Sequence, residues 1–276
     1  MITVWRRVRG KQPPFAGVAD GLLSASAAIR VAAVDSLVEL LRGRHSLGSL
    51  VAKINPRVIA CCGDVDSAVG VAAIRCASAL ATQELLADEG FNTVAYLIWH
   101  PDLERRVAAA AFVNLHILGM PVFDPVECAM QASDRFLRIV TLVDFVIEYA
   151  PRLVDQILER MVGSFWGRAS CLQDWGAFAR LALPGDLCLD GTQHNVLAHL
   201  MEASARFAIG DVLASRFLAN EVARSALDAF NAAALQLAPR VPELLDAYLE
   251  PDAVTPCAAL WMTAFARAAH AKGNAR

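Results

Sequence analysis

The stretch Arg57–Arg75, RVIACCGDVDSAVGVAAIR, constrains the fold more than any other, because it divides sharply at Gly63–Asp64. Pro56 and Gly63 bound the first half, a short apolar run of the kind that forms a buried strand. Asp66 or Ser67 can cap the second half, which reads as a helix running to about Asp88 and stopping at Gly90. FNTVAYLIWHP follows, rich in β-branched and aromatic residues and ended by Pro101, as a second strand. Strand, long helix and strand make a βαβ unit, whose strands are parallel. FVNLHILG reads as a third strand or a helix end. DPVECAMQASDRFLRIV reads as a helix, with Asp124 as cap and Pro125 in its first position, and LVDFVIEYAPRL as a further strand closed by Pro151. The alternation predicts an α/β domain over residues 55–160.

Helical segments flank this domain. In residues 1–54, Ala16–Leu41 carries Leu22, Ala25, Ile29, Ala33, Leu37 and Leu41 at helical spacing, with Pro13 and Pro14 just before it. Residues 161–190 contain GSFWGRASCLQDWG and read as a loop region. One long helix is expected over 191–238, its apolar stripe running from Leu197, Leu200, Met201 and Phe207 to Leu227 and Phe230. Glu221, Arg224 and Asp228 lie on its polar side at spacings that allow pairing and mark it as an interaction helix. Pro239 and Pro242 end it, and the tail 239–276 is interrupted again by Pro251. Each apolar stripe must bury against something, and the two helices are expected to pack as an antiparallel pair beside the α/β layer.

Composition limits the function classes. The chain has 276 residues, 56% hydrophobic and only 19% charged. A lone soluble domain carries about 25% charged residues. The low charge and abundant alanine suggest a helix-rich protein partly covered by protein partners. A net charge of −3 and a pI of about 6.1 argue against a nucleic-acid partner. The basic opening WRRVRGK is followed by KQPPF, which interrupts the apolar region of a signal peptide. VAAAAFVNLHILGMPVF, the longest uncharged run, falls short of a membrane span, so no direct span is expected. Seven cysteines without a C-x-x-C pair predict reduced, buried thiols in the cytoplasm rather than a disulfide framework or zinc site.

No motif assembles a catalytic site. A phosphate-binding loop needs glycines that turn backbone amides toward the anion and a lysine to neutralise it. Gly63, Asp64, Asp66 and Ser67 stand where such a loop would be, without lysine and with two repelling carboxylates. They are the ligand-binding candidates if the chain is an enzyme acting on a phosphorylated ligand. Asp64 and Asp66 could also face a magnesium ion, but no third oxygen ligand is identifiable. His194 and His199 are five apart and face different sides of a helix; His100 and His116 sit in apolar runs. No catalytic residue, metal site or cofactor is expected.

The order of elements resembles the γ subunit of F-type ATP synthases. WRRVRG is similar to the arginine-rich start of that family's first helix, and RVIACCGDVDSAVGVAAIR occupies the place of its first strand, turn and helix. VDFVIEYAPRL looks like a later strand, and LASRFLANEVARSALDAFNAA resembles the C-terminal helix signature. The resemblance implies a small Rossmann-like α/β layer beside paired terminal helices. It also implies a structural, torque-transmitting role without catalysis, α, β and ring subunits as partners, and a place peripheral to the inner membrane. The three prolines imply that any torque-bearing helix ends near Leu237. A helical adaptor unrelated to ATP synthase is the other non-enzymatic reading.

Overall fold

Regular structure is helical throughout the described part of the chain. The computed structural model describes residues 14–42, 48–119, 132–150, 155–166, 168–182 and 189–215. The chain divides into two units, Met1–Phe112 and Val113–Arg276.

The first unit contains α1 (Pro14–Gly21), α2 (Ala27–Arg42), α3 (Gly48–Cys62), α4 (Ser67–Thr82) and α5 (Asp88–Tyr96). A 3-10 turn follows at Leu97–Trp99, and α6 (Leu103–His116) begins in this unit. α4 is the central helix and packs against α2, α3 and α5. Its buried residues Val69, Gly70, Ala72, Ala73, Ile74, Cys76, Ala77 and Leu80 cover more than one face. Small side chains dominate that set, so neighbouring backbones come close. α2 buries Ala33, Val34, Leu37 and Leu41, and α3 buries Ile54, Val58, Cys61 and Cys62. Fully burying each such leucine or isoleucine contributes about 1.5–3 kcal/mol.

The second unit contains α7 (Ala132–Tyr149), α8 (Asp155–Phe165), a 3-10 turn at Ser170–Gln173, α9 (Trp175–Ala182) and α10 (Gly191–Ser215). α10 packs on α7, α8 and α9, burying Val196, Leu197, Leu200 and Met201. Phe165 and Phe178 are fully enclosed. A Cβ at Gly163 would stand 2.6 Å from Phe207 Cε2, so the glycine lets that ring lie directly against α8.

The expected α/β layer is not formed, since the described residues hold no strand. The run expected as the first strand is the second half of α3. Its buried Ile54, Val58, Cys61 and Cys62 recur every three or four residues, and Pro56, read as a boundary, lies on the exposed face. FNTVAYLIWHP forms the end of α5 and the 3-10 turn, with Val94, Ala95 and Ile98 buried at helical spacing. FVNLHILG begins as the end of α6, and LVDFVIEYA completes α7. The common cause is apolar residues on the exposed faces as well: Ala60 in α3, Tyr96 in α5, Leu115 in α6 and Ile147 in α7 face solvent, so the run of sequence looks unbroken although burial follows the helical period.

Other boundaries also differ. Ala16–Leu41 is two helices, broken over Leu22–Ser26. A Cβ at Gly21 would come within 2.8 Å of the Ala33 Cβ, so α1 closes against α2 at this glycine. α4 ends at Thr82 rather than near Asp88. Glu84 adopts a left-handed φ of 57°, and the Leu85 amide donates back to the Leu80 carbonyl at 2.9 Å. Part of the expected loop over 161–190 is helical, in α8 and α9. The apolar stripe of α2 is buried against α1 and α4, and that of α10 against α7, α8 and α9. Asp124, Pro125, Glu221, Arg224, Asp228, Pro239, Pro242 and Pro251 lie outside the described residues. Among the described residues no helix is long and apolar enough to cross a membrane.

Candidate functional site

Gly63, Asp64, Asp66 and Ser67 form the turn from α3 to α4, and three elements of the first unit converge on it. Arg30, in the first turn of α2, donates from Nε to Asp64 Oδ2 at 2.7 Å and from Nη2 to Oδ1 at 2.8 Å. Both side chains are largely enclosed, with 13% and 12% of their surface exposed. The paired hydrogen bonds hold the Asp64 carboxyl below the usual carboxylate range and raise the Arg30 guanidinium further above its already high one. Arg30 Nη1 also donates to the carbonyls of Ser24 and Ala25, at 2.8 and 3.1 Å, which ties down the break between α1 and α2.

Asp66 is the N-cap of α4, as its position in the sequence suggests. Its Oδ1 accepts from the amides of Ala68 and Val69, at 2.9 and 3.3 Å. Its own amide donates to Asp64 Oδ1 at 2.8 Å. At this helix start the amides of Ala68 and Val69 are thus taken by Asp66, and the Asp66 amide by Asp64. Gly63 has no left-handed φ, and a Cβ there would meet nothing closer than the Ala60 carbonyl at 3.7 Å. A phosphate cradle needs its glycines; this turn does not need Gly63.

α6 supplies the third side. Asp102 caps it, accepting from the amides of Glu104 and Arg105 at 2.8 and 3.4 Å. The Ser67 hydroxyl lies 3.5 Å from Glu104 Oε2, and it also lowers the carboxyl of Asp102 below its usual range. Arg105, whose side chain is only 5% exposed, donates from Nη2 to the Asp64 carbonyl. It fits because position 70 is glycine: a Cβ there would stand 2.8 Å from Arg105 Nε. Arg106 donates to the carbonyls of His100 and Pro101, at 2.9 and 2.6 Å. His100 Nδ1 accepts from the Asp102 amide at 3.1 Å; burial, helped by Arg105, pushes this imidazole below its usual range.

The four candidate residues are thus brought together, as parts of a polar clasp joining α2, the α3–α4 turn and α6. Arg30, Asp102 and Arg105 complete it and were not picked out from sequence. The signals were present: Arg30 is the only basic residue in Ala16–Leu41, and Pro101-Asp102 precedes Arg105 in the way a cap precedes a first turn. His194 and His199 lie on α10, where His194 Nδ1 is 3.1 Å from the Asp190 carbonyl. Cys61, Cys62, Cys76 and Cys171 are buried and belong to no disulfide. Burial pushes the thiols of Cys62, Cys76 and Cys171 up to about 12. Among the described residues no three His, Cys, Asp or Glu side chains group closely enough to hold a metal ion.

Comparison with protein-family models and with curated proteins gives no match for this chain.

Proposed function

We propose that the chain is a helical adaptor, a scaffold that binds other proteins. The observation that carries this reading is the internal use of the turn's polar groups: Asp64 is held by Arg30, and Asp66 fills the amides at the start of α4. Those contacts join helices, and stiffness and shape are what an adaptor needs. The low charge of the chain agrees with surfaces covered by partners. The narrower form of the proposal is a γ-like central or accessory subunit of a rotary ATPase, cytoplasmic and peripheral to the inner membrane. It rests on the order of long helices and on the sequence around Glu221 and Arg224, without the Rossmann-like layer that the resemblance implies.

A thermal-shift panel of nucleotides with magnesium tests the adaptor against the phosphorylated-ligand enzyme. The expected result is no saturable stabilisation. A saturable shift abolished by Asp64→Ala while the fold is kept would overturn the proposal. Affinity purification from the native cell tests the narrower form: recovery of α, β or ring subunits in fixed ratio supports it, and partners from an unrelated process end it.

A further inference from the structure

We infer that His100 is an acid-released latch: its neutral imidazole holds the start of α6 in the clasp, and protonation lets that start go. The hydrogen bond fixes the tautomer. The Asp102 amide can only donate, and it meets His100 Nδ1 at 3.1 Å, so Nδ1 is bare and the ring's proton is on Nε2. The ring stands where an asparagine side chain stands in a turn that accepts from the amide two residues on. Pro101 prepares this arrangement by keeping His100 extended, at φ −63° and ψ 143°. Arg106 pins the backbone through the carbonyls of His100 and Pro101. With the backbone held, the ring is the part that answers to pH.

An imidazolium cannot accept, so a proton on Nδ1 sets two N–H groups against each other. The charges around the ring offer it no place. Arg105 and Arg106, both buried, oppose a further cation; Asp102, the carboxylate that favours one, is committed to the amides of Glu104 and Arg105. Asp64 and Glu104 are one contact further away, Asp64 through its carbonyl on Arg105 and Glu104 beside the Ser67 hydroxyl. The imidazolium must therefore leave its place or draw the Asp102 carboxylate off the helix start. Either way the cap residue of α6 loses a partner. Arg105, in that first turn, then holds the Asp64 carbonyl less firmly. Arg30 and Asp64 stay paired, because that carboxyl is held below the usual 3.8. Acid thus opens the third side of the clasp and leaves the other two joined.

The test uses the full chain, isotopically labelled, with exchange protection of single amides followed from about pH 7.5 to about pH 5 and corrected for the intrinsic exchange rate. Burial and Arg105 lower the His100 value beneath the ordinary 6.5, so the latch is closed above 6.5 and opens as pH falls through the lowered value. Protection at Asp102, Glu104 and Arg105 should fall about fivefold, the size expected for losing one hydrogen bond, while that at Leu37 and Leu41 in α2 holds. His100→Asn keeps an acceptor for the Asp102 amide and has no proton to gain, so its protection should be level across the range. His100→Ala removes the acceptor and should show the low value at every pH. Level protection in the unsubstituted chain, the same fall in His100→Asn, or full protection in His100→Ala would overturn the inference. So would an equal fall at Leu37 and Leu41, which is unfolding of the whole unit, or a ring whose proton is found on Nδ1 at about pH 7.5.

Discussion

Gly70, in the first turn of α4, and Gly163, in the last turn of α8, are both helical glycines that admit a large group, yet the groups are opposite in kind. Beside Gly70 lies the guanidinium of Arg105, with Nε 2.8 Å and Cζ 3.1 Å from where a Cβ would be, and the Cys62 carbonyl at 3.2 Å. Beside Gly163 lies the ring of Phe207, with Cε2 at 2.6 Å and Cδ2 at 3.2 Å. One unit closes an end with charge and hydrogen bonds; the other fills the same kind of space with aromatic surface. Trp166 continues the second arrangement, its ring 5.1 Å from that of Phe207 at 51°. A guanidinium tied to a backbone carbonyl has a direction to keep, whereas a ring can turn and still bury its area. Close approach of helices is thus brittle in the first unit and forgiving in the second.

The largest effect tests whether the second unit depends on aromatic filling at all. Phe178→Ala empties a fully enclosed site and should cost about 4 kcal/mol in urea unfolding. A loss under about 2 kcal/mol would mean the unit collapses readily around the gap. Gly70→Ala comes next. Overpacking costs about 1–3 kcal/mol, offset by up to about 1 kcal/mol of helix propensity, so a net loss of about 1–2 kcal/mol is expected. Repeating it with Arg105→Ala should shrink the cost without removing it, because the Cys62 carbonyl stays close. Gly163→Ala should cost less than about 1 kcal/mol, since the Phe207 ring can swing away and the helix gains propensity. Equal costs at the two glycines would break the comparison.

The smallest effect is on pH dependence, and it belongs to the first unit. Its folded state keeps His100 neutral more readily than an unfolded chain does, so acid favours unfolding. The contribution is intact above the ordinary histidine range near 6.5 and is lost as pH falls from there through the lowered folded value. Asp64 also has a depressed folded value; its contribution is present above about 3.8 and is lost in stronger acid. Melting curves between pH 7 and 5 should show a decline that His100→Gln reduces. A decline of the same size in that variant would place its origin elsewhere.

Local chemistry was legible in the sequence, and the secondary structure of the middle was not. Asp66 caps α4 because a short acidic side chain before an apolar run has amides within reach whatever the fold around it. Leu37 and Leu41 are buried at the spacing that identified their helix. The strand reading failed where apolar residues also occupy a helix's exposed face, as Ala60, Tyr96 and Ile147 do, because the period of burial then does not show in the sequence. At Ile139, Leu142, Val143 and Val146 the three-and-four spacing was visible, but the β-branched residues LVDFVI pointed the other way, and tertiary burial overrode their propensity. Of the clasp, the two aspartates could be singled out from their neighbours in sequence. Arg30 and Arg105, their partners in space, are 34 and 41 residues from Asp64, a separation that only the helix packing closes.

The buried thiols give both units a built-in clock. Cys62 and Cys76 lie in the first unit and Cys171 in the second, each pushed up to about 12 by its surroundings. At pH 8 a thiol of that kind is ionised in only about one part in ten thousand, and alkylating reagents attack the thiolate. Modification of each cysteine therefore waits for the helices around it to part, and its rate counts those openings. Following the three sites separately by mass spectrometry times the breathing of each unit without introducing a foreign probe.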